Sequence, residues 1–117
     1  MSNSDERLSM LSLSSHTKLY VYSEPTSMRK SFEGLSQLVE KAFPVNLTSG
    51  ALFVFINKKK DSMKVLYWDQ DGLAIWYKRL EKGSFKQNKK MELSRKEFFM
   101  LLEGITPKKI NRRYSLS

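Results

Sequence analysis

The chain has 117 residues (13.7 kDa), of which 40% are hydrophobic and 28% charged, so it can pack one domain and is too apolar for wholesale disorder. It has no cysteine and one histidine, which excludes disulfide staples, thiolate zinc sites, cysteine nucleophiles and histidine-rich metal centres. Lys and Arg number 21 against 12 Asp and Glu, and the entire surplus of nine falls in residues 58–117, since residues 1–57 are neutral. Such asymmetry points either to a polyanionic partner, nucleic acid foremost, or to a basic solubilising surface.

In chain order, residues 1–17 are serine-rich and read as a loose arm with a short helical turn around Leu8–Leu13. Asp5 and Glu6 and the lack of a continuous apolar stretch do not suit a signal peptide. Lys18–Ser23, with Leu19, Tyr20, Val21 and Tyr22, predicts a strand ended by Pro25. Ser27 is placed to cap a helix from Met28, because Met28, Phe32, Leu35, Val39 and Ala42 recur at helical spacing until Pro44. Ala51–Ile56 is apolar on both alternations and predicts a strand buried on both faces. It is also the longest apolar run, far short of the roughly 20 residues that span a bilayer. A soluble, cytoplasmic protein with no membrane partner is therefore expected.

Asn57–Asp61 reads as a turn, Ser62–Trp68 as a strand, Asp69–Gly72 as a tight turn with Gly72 at positive φ, and Leu73–Leu80 as a further strand. Glu81–Ser84 turns the chain again, and Phe85–Lys86 begins a short edge strand. Ser94 and Glu97 form a capping box, with Leu93 and Phe98 as a hydrophobic staple, for a helix that Gly104 and Pro107 terminate. The expected fold class is α+β: an antiparallel meander of four to five strands with two packed helices. The expected boundaries are an arm over 1–17, one domain over 18–106 and a basic tail over 107–117.

The residues offer little for catalysis. His16 lies in the serine-rich arm without the fixed frame that nucleophilic chemistry requires. Asp69-x-Asp71-Gly72 fails as a calcium loop because leucines stand at the fifth and twelfth places, Leu73 and Leu80. No phosphate loop or dinucleotide fingerprint occurs. The expectation is no enzyme, no cofactor, no metal site and no catalytic residue.

The cations carry more information. Lys58, Lys59 and Lys60 share a turn, Lys64 follows, and Lys78, Arg79 and Lys82 close a later strand. Alternate turns of a meander lie at the same end, which would gather Lys58–Lys60, Lys78 or Arg79, and Lys82 into one rim able to hold phosphates. The alternative is a solubilising turn with lysines guarding a sheet edge. Tyr67, Trp68, Trp76 and Tyr77 suit core packing better than base stacking. Lys89 and Lys90, or Arg112 and Arg113, either clamp a backbone or are solvated.

Met28-Arg-Lys-Ser-Phe-Glu-Gly-Leu35, Gly50–Asp61, Val65–Phe85 and Leu101-Leu-Glu-Gly-Ile105 resemble four signatures of one family. The Tyr67-Trp-Asp-Gln-Asp-Gly72 run with Trp76-Tyr-Lys-Arg-Leu-Glu81 is the most specific part. The chain resembles, over Lys18–Ile105, the TnpB accessory protein (Orf-two-like) of bacterial insertion sequences of the type numbered sixty-six. It departs from that pattern at Ser27, where an acidic residue is usual, and at Gln87–Lys89, where tryptophan and proline are usual. The resemblance implies a non-enzymatic role in DNA transposition beside a much larger transposase and other element-encoded proteins. Arg29 and Lys30, within the first signature, then join the candidate DNA-binding set of Lys58, Lys59, Lys60, Lys64, Lys78, Arg79 and Lys82. The alternative is a protein-interaction module that binds the transposase without touching DNA.

Overall fold

The computed structural model describes residues 16–86 and 90–104. Residues 1–15 of the arm expected over 1–17, with the helical turn expected around Leu8–Leu13, Lys89, and the basic tail with Lys108, Lys109, Arg112 and Arg113 lie outside the described residues. Strand β1 (Leu19–Val21) is followed by helix α1 (Phe32–Ala42) and a short 3-10 turn (Leu47–Ser49). Strands β2 (Leu52–Ile56), β3 (Ser62–Asp69) and β4 (Gly72–Arg79) come next, then β5 (Glu92–Leu93) and helix α2 (Arg95–Glu103).

The fold is α+β. Its five strands lie in the order β4-β3-β2-β1-β5. The β2–β3 and β3–β4 pairs are the antiparallel hairpins that the turn residues predict. β1 departs from a simple meander, because it runs parallel to β2, with Leu19 beside Leu52 and Val21 beside Val54. The helix between β1 and β2 supplies the crossover that a parallel pair needs. The short edge strand is Glu92–Leu93, antiparallel to β1, and not Phe85–Lys86. Phe85 is instead buried, and its amide donates to the Lys60 carbonyl at 2.7 Å.

β2 is buried at every position, and the two alternations of its side chains feed two cores. Leu52, Val54 and Ile56 join Met63, Val65, Tyr67, Phe85, Phe98 and Leu101 under α2. Phe53 and Phe55 join Tyr20, Leu35, Val39, Phe43 and Leu66 under α1. The sheet is therefore sandwiched between helices, with Tyr20, Phe43 and Phe53 in mutual ring contact on the α1 side.

The first helix starts later than its apolar spacing predicts. Ser31, not Ser27, is the N-cap, and Met28–Lys30 form a turn outside the helix. Ser27 caps that turn, its Oγ accepting from the Arg29 amide at 3.2 Å. Lys64, on the α1 side of β3, holds this turn, its Nζ donating to the carbonyls of Met28 and Lys30 at 3.0 and 2.8 Å. Phe32, now at the first helical position, is 45% exposed. At the β3–β4 turn the positive φ falls on Gln70 (60°) and not on Gly72.

The capping box of α2 forms as its sequence predicts, with Ser94 Oγ accepting from the Glu97 amide and Glu97 accepting from the Ser94 amide. Those contacts and the Lys90 ammonium at 2.8 Å lower the Glu97 pKa from 4.5 to about 2, the Lys90 hydrogen bond being the largest cause. A lowered carboxylate pKa stabilises the fold above its unfolded value and ceases to do so as pH falls through the folded value. α2 amides are thus expected to lose hydrogen-exchange protection as pH drops from 4.5 toward about 2, and Glu97→Gln should flatten that dependence. Gly104 closes α2 at φ 72° and ψ 176°, a region essentially reserved for glycine. Gly104→Ala should cost about 1–3 kcal/mol in urea melts, whereas Gly72→Ala, with open space at its Cβ position, should stay within about 0.5 kcal/mol.

Candidate functional site

The C-terminal end of β2 organises one pole of the molecule. Thr26 donates its amide to the Ile56 carbonyl at 2.9 Å, which draws Pro25–Lys30 to that end. The Asn57–Asp61 turn leaves β2 there. The segment after β4 is fastened to this turn twice, by Leu80 N–H to the Asp61 carbonyl at 2.8 Å and by Phe85 N–H to the Lys60 carbonyl at 2.7 Å. Between these segments lies an open groove of about 530 Å³, lined by Pro25–Met28, Asn57–Lys59, Asp61, Ser62, Tyr77 and Arg79.

Asn57 frames the turn. Its Oδ1 accepts from the amides of Asp61 and Ser62 at 3.1 and 3.0 Å, while its Nδ2 donates to Asp61 Oδ1 at 2.8 Å. That last bond is the main reason the Asp61 carboxyl titrates below its ordinary range, with Ser62 and the nearby Arg79 charge adding to it. The Asp61 carboxylate is therefore committed to holding the turn. Lys60 sits at φ 63°, a left-handed conformation that glycine adopts at less cost.

The sequence-predicted cations separate into three groups. Lys58, Lys59 and Arg79 line the groove. Lys60 belongs to the same turn, Lys82 lies in the loop fastened to it by Leu80 and Phe85, and Arg29 and Lys30 occupy the turn continuous with Ser27 and Met28. All seven are exposed. Lys64 is instead half-buried and spends its ammonium on two carbonyls, where it fixes the Arg29–Lys30 turn. Lys78 projects from the opposite face of β4 and donates to the Leu102 carbonyl at 2.8 Å, at the C-terminal turn of α2. Of the pair Lys78 or Arg79, it is Arg79 that reaches the groove, as strand alternation requires.

The aromatics divide similarly. Tyr67 is buried and Trp76 packs on the α2-side core. Trp68 is half-buried, and its indole donates to the Gln70 carbonyl at 3.0 Å. Tyr77 is the exception, 51% exposed, with Lys64 Nζ 5.3 Å from its ring centroid. Strand parity is the signal for its position in the groove, since it shares a face with Arg79 and Lys64. The roles of Asn57 and Asp61 emerge only from the turn geometry.

The ion pairs seen among the described residues, Lys18–Glu92 and Lys90–Glu97, involve none of these cations. Among the described residues there is also no cluster of three His, Asp or Glu that could hold a metal ion, and no helix long and apolar enough to cross a membrane.

A family model described as IS66 Orf2 like protein matches residues 17–112. The chain belongs to the IS66 Orf2-like family. It is thus an accessory protein of insertion sequences, a family not known as enzymes. The chain is 29% identical over 108 residues to the uncharacterized protein y4jC of Sinorhizobium fredii, covering 89% of this chain and 92% of that one. It is 30% identical over 76 residues to y4hO of the same organism, covering 65% and 66%. No solved structure matches the IS66 Orf2-like chain.

Two substitutions separate the scaffold of this pole from its charge. Lys64→Met, which removes both hydrogen bonds to the carbonyls, should destabilise the protein by about 1–3 kcal/mol. Lys60→Gly should instead leave stability unchanged or raise it by up to about 1 kcal/mol while deleting a cation. Chemical denaturation of both variants beside wild type measures the two effects.

Proposed function

We propose that this IS66 Orf2-like protein assists DNA transposition by holding element DNA at its cationic pole, without chemistry of its own. The observation that carries this reading is that Lys58, Lys59 and Arg79 line one open groove, with the exposed Lys60, Lys82, Arg29 and Lys30 in the chain segments next to it. They come from three separate chain segments, while Asp61, the carboxylate that lines the groove, is engaged within its own turn. Exposed ammonium and guanidinium groups gathered in this way neutralise phosphates and release counterions, so affinity falls steeply with salt. Membership in a family of insertion-sequence accessory proteins supports DNA and the transposase as the relevant partners.

The test is fluorescence anisotropy on duplexes carrying the element's terminal sequences across a salt series. Lys58→Ala, Lys59→Ala and Lys60→Gly together should lower the log-affinity against log-salt slope by roughly 3, about one unit for each phosphate no longer neutralised. They should leave the fold intact, because all three side chains are exposed. An unchanged slope would overturn the reading. Co-purification with the transposase that survives high salt and nuclease, without DNA affinity, would assign the protein to transposase binding instead.

A further inference from the structure

We infer that the groove takes an unpaired nucleotide, with its base stacked on Tyr77 and its phosphates held by Arg79, Lys58 and Lys59. The favoured ligand is therefore DNA with a single-stranded or splayed end and not a fully paired duplex. This inference rests on the nucleic-acid reading above and adds the substrate class.

Four observations carry it. First, Tyr77 is the half-exposed aromatic of the groove, and its ring is fixed by place: it is register-paired with Lys64, whose ammonium sits over the ring and is itself anchored by two carbonyls. A ring held this way offers a stacking surface without first losing freedom. Second, Arg79 stands two residues farther along the same strand face, about 6.7 Å away. A flat base on the ring thus has a guanidinium beside it for the adjoining phosphate. Third, Lys58 and Lys59 line the groove from the facing turn, so the backbone of a bound strand meets cations on two sides. Fourth, the cavity of about 530 Å³ falls within the roughly 300–1,000 Å³ typical of small-molecule sites. That suits a nucleotide. A regular duplex keeps its bases stacked inward and would present only phosphates to the same cations, leaving the Tyr77 ring face unused.

The experiment compares a blunt duplex with the same duplex bearing a short single-stranded tail. 2-Aminopurine is placed at the first unpaired position of the tail. Wild-type protein should quench the 2-aminopurine and prefer the tailed DNA. Tyr77→Leu should abolish the quench and weaken tailed-DNA binding by roughly 5- to 150-fold while leaving blunt-duplex affinity unchanged. Tyr77→Trp should restore both. Circular dichroism verifies that the leucine variant is folded, as expected for a side chain at the surface. Equal affinity for the two DNAs without quenching, or quenching that persists in Tyr77→Leu, would overturn this inference and leave the duplex-binding reading standing. Absence of binding to either DNA would overturn both.

Discussion

Burial of β2 on both faces is the constraint from which the rest of the molecule follows. Five consecutive residues, Leu52–Ile56, are almost wholly removed from water, so each face of the strand must be covered by a separate layer. At about 25 cal/mol per Å² of apolar surface, no arrangement leaving one face wet competes. The chain meets this requirement by laying α1 on one side and α2 on the other. It also flanks β2 with β3 along its whole length and with β1 over Leu52–Val54, while the Thr26 amide takes up the Ile56 carbonyl beyond the end of β1. A central strand with both neighbours in place has only its ends free. The C-terminal end is where the Pro25–Lys30 segment, the Lys58–Lys60 turn and the exit of β4 are obliged to meet.

At that end the cations do two kinds of work. Lys64 and Lys78 stand on adjacent strands but face opposite layers, and each ammonium satisfies main-chain carbonyls that a helix end or turn leaves open. Their charge is consumed by the architecture. The remaining cations are solvated, and their positions are fixed by backbone hydrogen bonds between the segments that carry them, namely Thr26 to Ile56, Leu80 to Asp61 and Phe85 to Lys60. Scaffold and charge are therefore separable, because those bonds are made by main-chain atoms that do not depend on the side chains at 58, 59 or 82.

Much of the layered fold is legible in the sequence. Ala51–Ile56 announces a two-faced strand, Ser94-x-x-Glu97 announces the start of α2, and the turn residues between 57 and 72 announce two hairpins. What sequence pattern cannot supply are interactions between distant segments. The turn before α1 is held by Lys64, more than thirty residues away, which donates to the carbonyls of Met28 and Lys30. The parallel pairing of β1 is a matter of long-range topology, since a three-residue strand carries no signal of its neighbour. The short edge strand falls at Glu92–Leu93 and not at Phe85 because Phe85, despite its strand-like chemistry, serves as a plug, with its amide on Lys60 and its ring in the α2-side core. In the site, parity along β4 already separates Tyr77 and Arg79 from Trp76 and Lys78. By contrast, the union of the Arg29–Lys30 turn with the Lys58–Lys60 turn arises only on folding.

The energetic balance of this pole bears on what it is for. Gathering solvated cations at one end raises their mutual repulsion, and Asp61, the carboxylate within the groove, is tied to Asn57. The ion pairs Lys18–Glu92 and Lys90–Glu97 give the pole no relief. The chain adds to this cost by placing Lys60 in a left-handed conformation where glycine would be easier. At physiological salt the screening length is about 8 Å, so the repulsion between exposed neighbours is modest and the compact fold tolerates it. A solubilising surface gains nothing from such concentration, since the same charges dispersed over the body would repel less and solvate equally well. A polyanion lying across the pole gains from every added cation, because each neutralised phosphate releases counterions to bulk solvent. On the proposed reading, phosphates bound at this pole would offset the strain at Lys60 and the repulsion among its neighbours.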